Sequence, residues 1–325
     1  MLTQPSGQPI LVGSWDTDDD FPVFPTGSKP KRMLFCPADP PLPHLIGGHA
    51  YLFKTVTPRW QHQLWSEVIA YRLGALVGLQ VPPCFVAFDE RTNQAGALME
   101  FFYGYPGERL PARLIHGADM LARFIKDTKR GRPHSVRGNI SLCRLFLPIE
   151  QSISWWAAAL AFDAVIGNTD RHPDNWGALV HQVPGVPARY EMAPLFDNGT
   201  SLGYELVDSR LANLVQAVPL QAYLSRGTHH CGWSVRDDAP TSHFTLCERL
   251  LEQHEVAGAA IESVIRFDRA QITSLVHDLL AIDVGVPFTI ERANFIVSLI
   301  LARQVRLKSL VEGYRGKLDR TPERT

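Results

Sequence analysis

Residues 166–177 read IGNTDRHPDNWG, and residues 193–199 read APLFDNG. Between them lie strand-like residues 178–181, a Pro/Gly turn and a second strand that ends near Leu195. Asp170, Asn175 and Asp197 therefore flank a predicted hairpin. Phosphoryl transfer needs one carboxylate near the acceptor hydroxyl and two oxygen ligands for magnesium. The two segments predict a phosphotransfer site at the ends of this hairpin.

In this interpretation Asp170 orients or deprotonates the acceptor hydroxyl, while Asn175 and Asp197 hold the Mg²⁺ ion that bridges the phosphates of ATP. Arg171 and His172 are expected to support the loop through hydrogen bonds rather than to act as base or metal ligand. Aspartate and asparagine are also common in turns, where they bond to their own backbone. The alternative is therefore that both segments are only turns.

Upstream of these loops lie the residues predicted to bind the nucleotide. Lys54 ends an alternating strand at residues 51–54, and Glu67 follows near the start of a predicted helix. A strand lysine on the ATP phosphates, held by a helix glutamate, is the arrangement found in protein kinases. The alternatives are an ordinary lysine at a strand end and a solvated glutamate.

Two further segments complete the predicted nucleotide site. The turn at residues 26–31, TGSKPK, would cover the phosphates with backbone N–H groups, and we place Gly27 and Ser28 in contact with the nucleotide. Three residues at the junction between the strand-rich and helical parts would offer backbone groups to adenine: Met99, Glu100 and Phe101.

Hydrophobic periodicity divides the chain into a strand-rich part and a helical part. Short apolar or alternating runs bounded by Pro and Gly predict strands at residues 32–36, 49–54, 83–88 and 95–102. Apolar residues at helical spacing predict one helix among them, over residues 61–78, with Gly78 placed to stop it. After Tyr103 the pattern is mainly helical, with a buried helix at 153–166 and amphipathic helices at 272–282 and 290–311.

These elements predict an α+β fold that is bilobal and protein-kinase-like. We assign residues 1–19 to an N-terminal tail, 20–103 to a small strand-rich N-lobe, 104–315 to a larger helical C-lobe and 316–325 to a C-terminal tail. A two-lobe plan leaves a cleft between the lobes, and clefts bind ligands.

The composition is that of a globular chain without a strong charge bias. Its 325 residues carry 32 Lys and Arg against 33 Asp and Glu, so direct nucleic-acid binding through bulk charge is not expected. The apolar runs are too short to span a bilayer and no signal peptide is visible, so we expect no membrane association. Five scattered cysteines without a CxxC pair argue against a disulfide framework or a zinc ribbon and favour a reducing cytoplasm.

The two loops resemble those of a known family. Asp170-Arg171-His172 with Asn175, and Phe196-Asp197-Asn198-Gly199, are similar to the catalytic and metal-binding loops shared by phosphoinositide-3/4-kinase-like enzymes and HipA-type serine/threonine kinases. The contexts IGNTD at 166–170 and APLFD at 193–197 point to the HipA type. The resemblance extends from about Gly27 to Asp197, with helical continuation to about Val311.

The resemblance implies an ATP- and magnesium-dependent serine/threonine protein kinase of the bacterial toxin type. Such kinases are neutralised by a DNA-binding antitoxin and phosphorylate aminoacyl-tRNA synthetases, so a protein substrate, such as a synthetase or a translation factor, is implied. They also silence themselves by phosphorylating a serine of the phosphate loop, which Ser28 matches best here, with Thr26 as second choice. HipA proteins usually carry an additional N-terminal subdomain, for which the residues before Phe24 leave no room. An antitoxin or a small regulatory partner would supply it.

Two other functions stay open at this point. The Asp-Arg-His order is shared with phosphoinositide kinases, so a lipid or small-molecule kinase is the rival enzyme, although no basic amphipathic segment for a membrane surface is evident. An inactive nucleotide-binding scaffold would keep the fold without turnover.

The basic stretch from Arg123 to Arg137 is either a solvated loop or a docking patch for an acidic partner. His229-His230-Cys231 is expected to be a polar loop, because no second cluster lies at zinc spacing.

Overall fold

The computed structural model of the chain describes residues 4, 7–17, 31–108, 110, 112–124, 134–237 and 241–318. In it the alternating runs of the first hundred residues form one sheet. Its six strands are β1 (Ile10–Leu11), β2 (Asp16–Thr17), β3 (Lys31–Phe35), β4 (Ala50–Thr55), β5 (Cys84–Asp89) and β6 (Gln94–Glu100). They lie in the order β1-β5-β6-β4-β3-β2, and only β1 and β5 pair in parallel. In β4 the alternate residues Tyr51 and Phe53 are buried, as a period of two requires.

One helix, α1 (Gln63–Leu76), connects β4 to β5 and packs on β5 and β6. The predicted helix over residues 61–78 is therefore present. It ends where predicted, because Gly78 adopts the left-handed conformation, with φ of 75°, that follows the last helical turn.

Residues 10–17 belong to the sheet, although residues 1–19 are predicted as a tail. β1 extends the sheet beyond β5. Gln4 supports this edge, because its carboxamide donates to Val86 O at 2.8 Å and accepts from Val86 N at 2.8 Å. β2 pairs with β3 at the opposite edge. Strands of two residues carry no alternation, which is why periodicity does not reveal them.

The rest of the described chain is mainly helical, as predicted. Its helices are α2 (Gly117–Phe124), α3 (Val136–Cys143), α4 (Ile149–Ile166), α5 (Leu211–Leu214), α6 (Ala217–Arg226), α7 (His243–Gln253), α8 (Val256–Val264), α9 (Arg269–His277) and α10 (Ile290–Leu318). Short 3-10 turns lie at Pro58–Trp60, Pro173–Asn175, Asp208–Arg210 and Asp278–Ala281.

A small antiparallel sheet lies within this helical part. Its strands are β7 (Arg113–His116), β8 (Gly177–His181) and β9 (Arg189–Met192), in that order. A separate pair of two-residue strands consists of β10 (Thr228–His229) and β11 (Thr241–Ser242). β8 and β9 form the predicted hairpin between the two loops, whereas β7 is an addition that the sequence does not indicate. The hairpin brings residue 177 and residue 192 to the same end of the sheet.

α4 lies at the centre of the helical part. Of its 18 residues 12 are buried, and it packs against α3, α7, α8 and α10. This burial agrees with the apolar pattern at 153–166, and the predicted α+β architecture is confirmed. None of the helices in the described ranges combines the length and apolar character that a bilayer crossing requires.

Gly117, where β7 meets α2, lies against the indole ring of Trp176, which is buried. A Cβ atom at position 117 would overlap this ring, so we expect Gly117→Ala to lower the free energy of unfolding by about 1–3 kcal/mol. Gly313 in α10 is the matched control, because no atom outside its own helix backbone lies within 4 Å of an added Cβ. Gly313→Ala should leave stability unchanged or raise it by about 0.5–1 kcal/mol. Urea unfolding measures both, and an unchanged midpoint for Gly117→Ala would contradict the packing.

Candidate active site

The end of α4 leads into the first loop. The helix ends at Gly167, whose φ of 69° is left-handed. Asp170 follows, half-buried, and its backbone N–H donates to Asn168 Oδ1 at 3.0 Å. Asn175 Nδ2 donates to Asp170 O at 2.7 Å. Hydrogen bonds therefore fix the backbone on both sides of the Asp170 side chain.

Arg171 joins this loop to the loop of Asp197. Its side chain is fully buried, and its guanidinium bonds both carboxylate oxygens of Asp163, at 2.7 and 3.1 Å. It also donates to three groups in the two loops: Asn175 O, Phe196 O and Asn198 Oδ1. One side chain thus fixes the position of the Asp197 loop relative to the Asp170 loop.

The carboxylate of Asp163 is buried in α4 and accepts hydrogen bonds from three residues. Besides Arg171, these are Asn168 through Nδ2 at 3.0 Å and His229 through Nε2 at 3.1 Å. His229 accepts the backbone N–H of Cys231 at Nδ1, so its own proton is on Nε2, facing Asp163. Burial alone would raise the pKa of Asp163, but the charge of Arg171 and the bonds from His229 and Arg171 hold that pKa below its ordinary value. Asp163 is therefore an ionised anchor.

Lys54 in β4 lies between two carboxylates. Its Nζ is 2.8 Å from Glu67 Oε1 and 3.0 Å from Asp197 Oδ1. The other oxygen of Glu67 accepts the backbone N–H of Asn198 at 2.9 Å. Burial would lower the pKa of Lys54, but the charges of Asp197 and Glu67 together outweigh it and raise that pKa. The strand lysine and the helix glutamate singled out in the sequence are thus in contact, and they meet at the Asp197 loop.

Two side-chain oxygens of these loops, one on Asp197 and one on Asn175, are of the kind that magnesium binds. Asp197 keeps 39% of its side chain exposed and has a positive φ of 56°, a conformation that non-glycine residues seldom adopt. Asn175 uses its amide N–H within the loop, so its Oδ1 is the atom that it can offer to a cation. Mg²⁺ takes one or two such oxygens from a protein and completes its shell with phosphates and water. In the ranges that the structure describes, no group of three or more His, Cys, Asp or Glu side chains could hold a metal by itself.

The segment predicted to contact adenine, residues 99–101, lies at the end of β6. The sheet uses two of its N–H groups: Glu100 N donates to Pro83 O at 2.8 Å, and Phe101 N donates to Ala50 O at 3.1 Å. A contact between adenine and the backbone of either residue would therefore fall to a carbonyl group, and the carbonyl of Phe101 already bonds His49 Nε2 at 2.6 Å.

Aromatic rings continue this segment towards the Asp197 loop. Phe102 stacks on Phe196, with ring centroids 5.3 Å apart, and Tyr103 packs edge-on against Phe102. These rings pack on a small apolar cluster of residues 112, 179 and 193. The backbone position next to Asp197 is thus tied to the junction between the strand-rich and helical parts.

The predicted phosphate loop, residues 26–31, lies outside the described residues except for Lys31. Thr26, Gly27 and Ser28 therefore stay predictions. Lys31 begins β3 and lies directly opposite Lys54 of the neighbouring strand β4. This register places the start of β3 beside the lysine of the site.

Two histidines singled out in the sequence, His172 and His229, differ in their surroundings. His172 holds the loop backbone, because its Nδ1 accepts the N–H of Asp174 at 3.3 Å. The polar loop expected at residues 229–231 is wrong for His229 and Cys231, which are buried. The physical reason is that His229 is drawn into the interior by its hydrogen bond to Asp163.

Two side chains from the last third of the described chain also support the first loop, and sequence patterns do not indicate them. His243 donates from Nε2 to Asn168 O at 2.6 Å, and burial lowers the pKa of His243 to about 3, so the ring is neutral. Arg303 donates to Ala164 O at 2.9 Å, at the end of α4 where the helix dipole favours a cation. These contacts span 75 and 139 residues of chain, which no local pattern encodes.

A family model and two solved structures are similar to the chain. The model described as the HipA-like C-terminal domain matches residues 25–266. The proinflammatory kinase CtkA of Helicobacter pylori aligns with a TM-score of 0.74 at 16% identity, over 96% of this chain and 100% of that chain. HipA of the Shewanella oneidensis MR-1 toxin–antitoxin system, solved with HipB and operator DNA, aligns with a TM-score of 0.51 at 14% identity, over 92% of this chain and 66% of that chain. No curated protein sequence matches the chain.

At these identities the structural likeness shows the fold alone, and that fold is protein-kinase-like, as predicted. The family match spans most of the chain and ends close to the end of α8. Together the family and the fold support a kinase-like function. The resemblance inferred from the two loops is thereby confirmed, and the chain belongs to the HipA-like C-terminal domain family.

Proposed function

We propose that the chain is an ATP- and magnesium-dependent protein kinase that transfers the γ-phosphoryl group to a serine or threonine hydroxyl of a protein. The contact of Lys54 Nζ with both Glu67 and Asp197, at 2.8 and 3.0 Å, carries this proposal. In protein kinases the lysine–glutamate ion pair and the metal-binding aspartate must both be in place for transfer. In this chain both meet at a single ammonium group.

Lys54 supplies positive charge for the phosphates of ATP. Glu67 anchors it, because Glu67 is itself held through its second oxygen by the N–H of Asn198. The ammonium can therefore turn from Asp197 towards a phosphate while it stays bonded to Glu67. Once it has turned, the charge stabilises the transition state without further reorganisation at the moment of reaction.

Asn175 and Asp197 would hold the magnesium ion. A bound Mg²⁺ neutralises the charge that develops on the phosphate oxygens during transfer. Arg171 positions both residues, because its guanidinium bonds the backbone of Asn175 and the two neighbours of Asp197.

Asp170 acts on the acceptor. The acceptor hydroxyl oxygen forms a bond to the γ-phosphorus, the bond from that phosphorus to the bridging oxygen of ADP breaks, and the hydroxyl proton passes to the Asp170 carboxylate. The fixed backbone on both sides of Asp170 supports this role, because the position of a general base decides its efficiency.

For substrate, regulation, partner and location the proposal follows the family resemblance. We infer a protein of the translation machinery, such as an aminoacyl-tRNA synthetase or a translation factor, as substrate, and the cytoplasm as location. The Shewanella oneidensis HipA was solved with HipB and operator DNA, which supports an antitoxin-like partner for this chain. Ser28, with Thr26 second, is the proposed site of autophosphorylation.

Asp170→Asn keeps the size of the side chain and removes the base. Transfer of phosphate from γ-labelled ATP to the chain itself or to dephosphorylated casein should fall by about 10²–10⁴-fold, while the Kd for MgATP stays at the wild-type value. Asp119→Asn, which changes an exposed carboxylate in the first turn of α2, is the control and should keep full transfer. Full transfer by Asp170→Asn would contradict the assigned base, and a wild type that binds MgATP without transfer would identify an inactive scaffold.

Asp197→Asn removes one charge from the pair of metal ligands. We expect kcat to fall by about two orders of magnitude or more, because a metal ion supplies several kcal/mol of transition-state stabilisation. Calorimetric titration with ATP, with and without magnesium, should show that magnesium strengthens binding to the wild type and has little effect on the variant. The same magnesium dependence in both proteins would show that Asp197 is not a ligand.

A further inference from the structure

α1, the helix that carries Glu67, is buried on every side. Of its 14 residues 11 are buried, among them Glu67 and Arg72. A helix that packs on one face of a sheet normally leaves a polar face in solvent. α1 therefore has a second covering layer opposite the sheet.

Residues 275–288 provide part of that layer. Arg72, only 3% exposed, donates from Nη1 to Leu275 O at 3.1 Å and to Asp278 Oδ2 at 2.9 Å. Near the other end of α1, the ring of Trp65 lies 4.7 Å from the ring of Phe288. One polar and one aromatic contact thus tie both ends of α1 to the region between α9 and α10.

Glu67 lies between these two contacts. Its neighbour Ser66 donates from Oγ to Ser201 O at 2.8 Å, just beyond the Asp197 loop. Trp65 and Arg72 lie in the same continuous helix as Glu67, so their contacts help to set the position of Glu67 relative to that loop.

The ion pair of Arg72 with Asp278 is the part of this contact that a small change can test. Arg72 is buried, whereas Asp278 keeps 41% of its side chain exposed. Removing the charge of Asp278 takes the carboxylate from a buried cation, which is unfavourable even though solvent screens the exposed side of the pair, and it opens no cavity in the core. The guanidinium would then have to reorganise towards water, and α1 with it.

We propose that Arg72 and Asp278 are positioning residues, and that the segment from α9 to Phe288 clamps α1 so that Glu67 meets Lys54 without help from a partner. This inference rests on the proposed kinase function. The segment lies beyond residues 25–266, the part that matches the family model. In protein kinases the position of the corresponding helix is a point at which activity is controlled. The clamp removes that freedom from this chain.

The test uses the full chain with Asp278→Asn, with Asp278→Glu as the conservative variant, and with Glu291→Gln as the control for an exposed carboxylate in the first turn of α10. Phosphate transfer from γ-labelled ATP to dephosphorylated casein gives kcat and the KM for MgATP. Hydrogen exchange gives the opening of α1 and, as an internal reference, of α4.

For Asp278→Asn we expect kcat to fall by up to about 100-fold, as small displacements remote from the chemistry can cause, with a much smaller change in KM. Its α1 amides should exchange faster while those of α4 do not, and the other two variants should behave as wild type.

Unchanged exchange in α1 of Asp278→Asn would overturn the clamp, whatever the activity does. Faster exchange in α1 with wild-type kcat would overturn the positioning roles, because the placement of α1 would then not limit transfer. Faster exchange in α4 as well would indicate general loosening and would also overturn them. If the wild type transfers no phosphate, the proposed function fails. The hydrogen exchange of the α1 amides in Asp278→Asn then shows by itself whether the segment holds α1 in place.

Discussion

The buried ion pair between Asp163 and Arg171 is the interaction on which the site depends. Neither side chain has any exposed surface, and removing two charges from water costs several kcal/mol each unless their remaining hydrogen-bonding groups are satisfied. In this chain Asn168 and His229 satisfy the carboxylate, and the backbone oxygens of both loops satisfy the guanidinium. Stability alone does not explain such a pair, since apolar residues of similar volume often serve as well. The position of the pair explains its presence, because the pair fixes both loops to one buried helix.

The two carboxylates around Lys54 differ in freedom. Glu67 has 5% of its side chain exposed and is bonded through both oxygens, whereas Asp197 has 39% exposed. In the proposed function a cation would compete with Lys54 for Asp197 and phosphates would compete with Asp197 for the ammonium, while Glu67 keeps the lysine in place. In that function the ammonium would keep Glu67 as its partner and exchange Asp197 for phosphate.

Much of the fold could be predicted because it is encoded locally. The alternation in β4 and the apolar surface of α4 follow from periods of two and 3.6 residues, and Asp170 and Asn175 lie within one loop. The support of the site could not be predicted in this way. Asp163 is visible in the sequence only as a polar interruption of an apolar helix, and His229 reaches it across 66 residues. Burial and dipole stabilisation decide such contacts, and neither leaves a local pattern.

α10 is the last of the described elements, yet Arg303 caps the end of α4 at Ala164, 139 residues earlier in the chain. A ribosome adds about 5–20 residues per second. The loop around Asp170 is therefore synthesised on the order of ten seconds before the arginine that caps its helix. A nascent or stalled chain would carry the motifs of the site without the helices that hold them in place. The loop around Asp170 therefore gains this support only once α10 has been synthesised and has packed against α4.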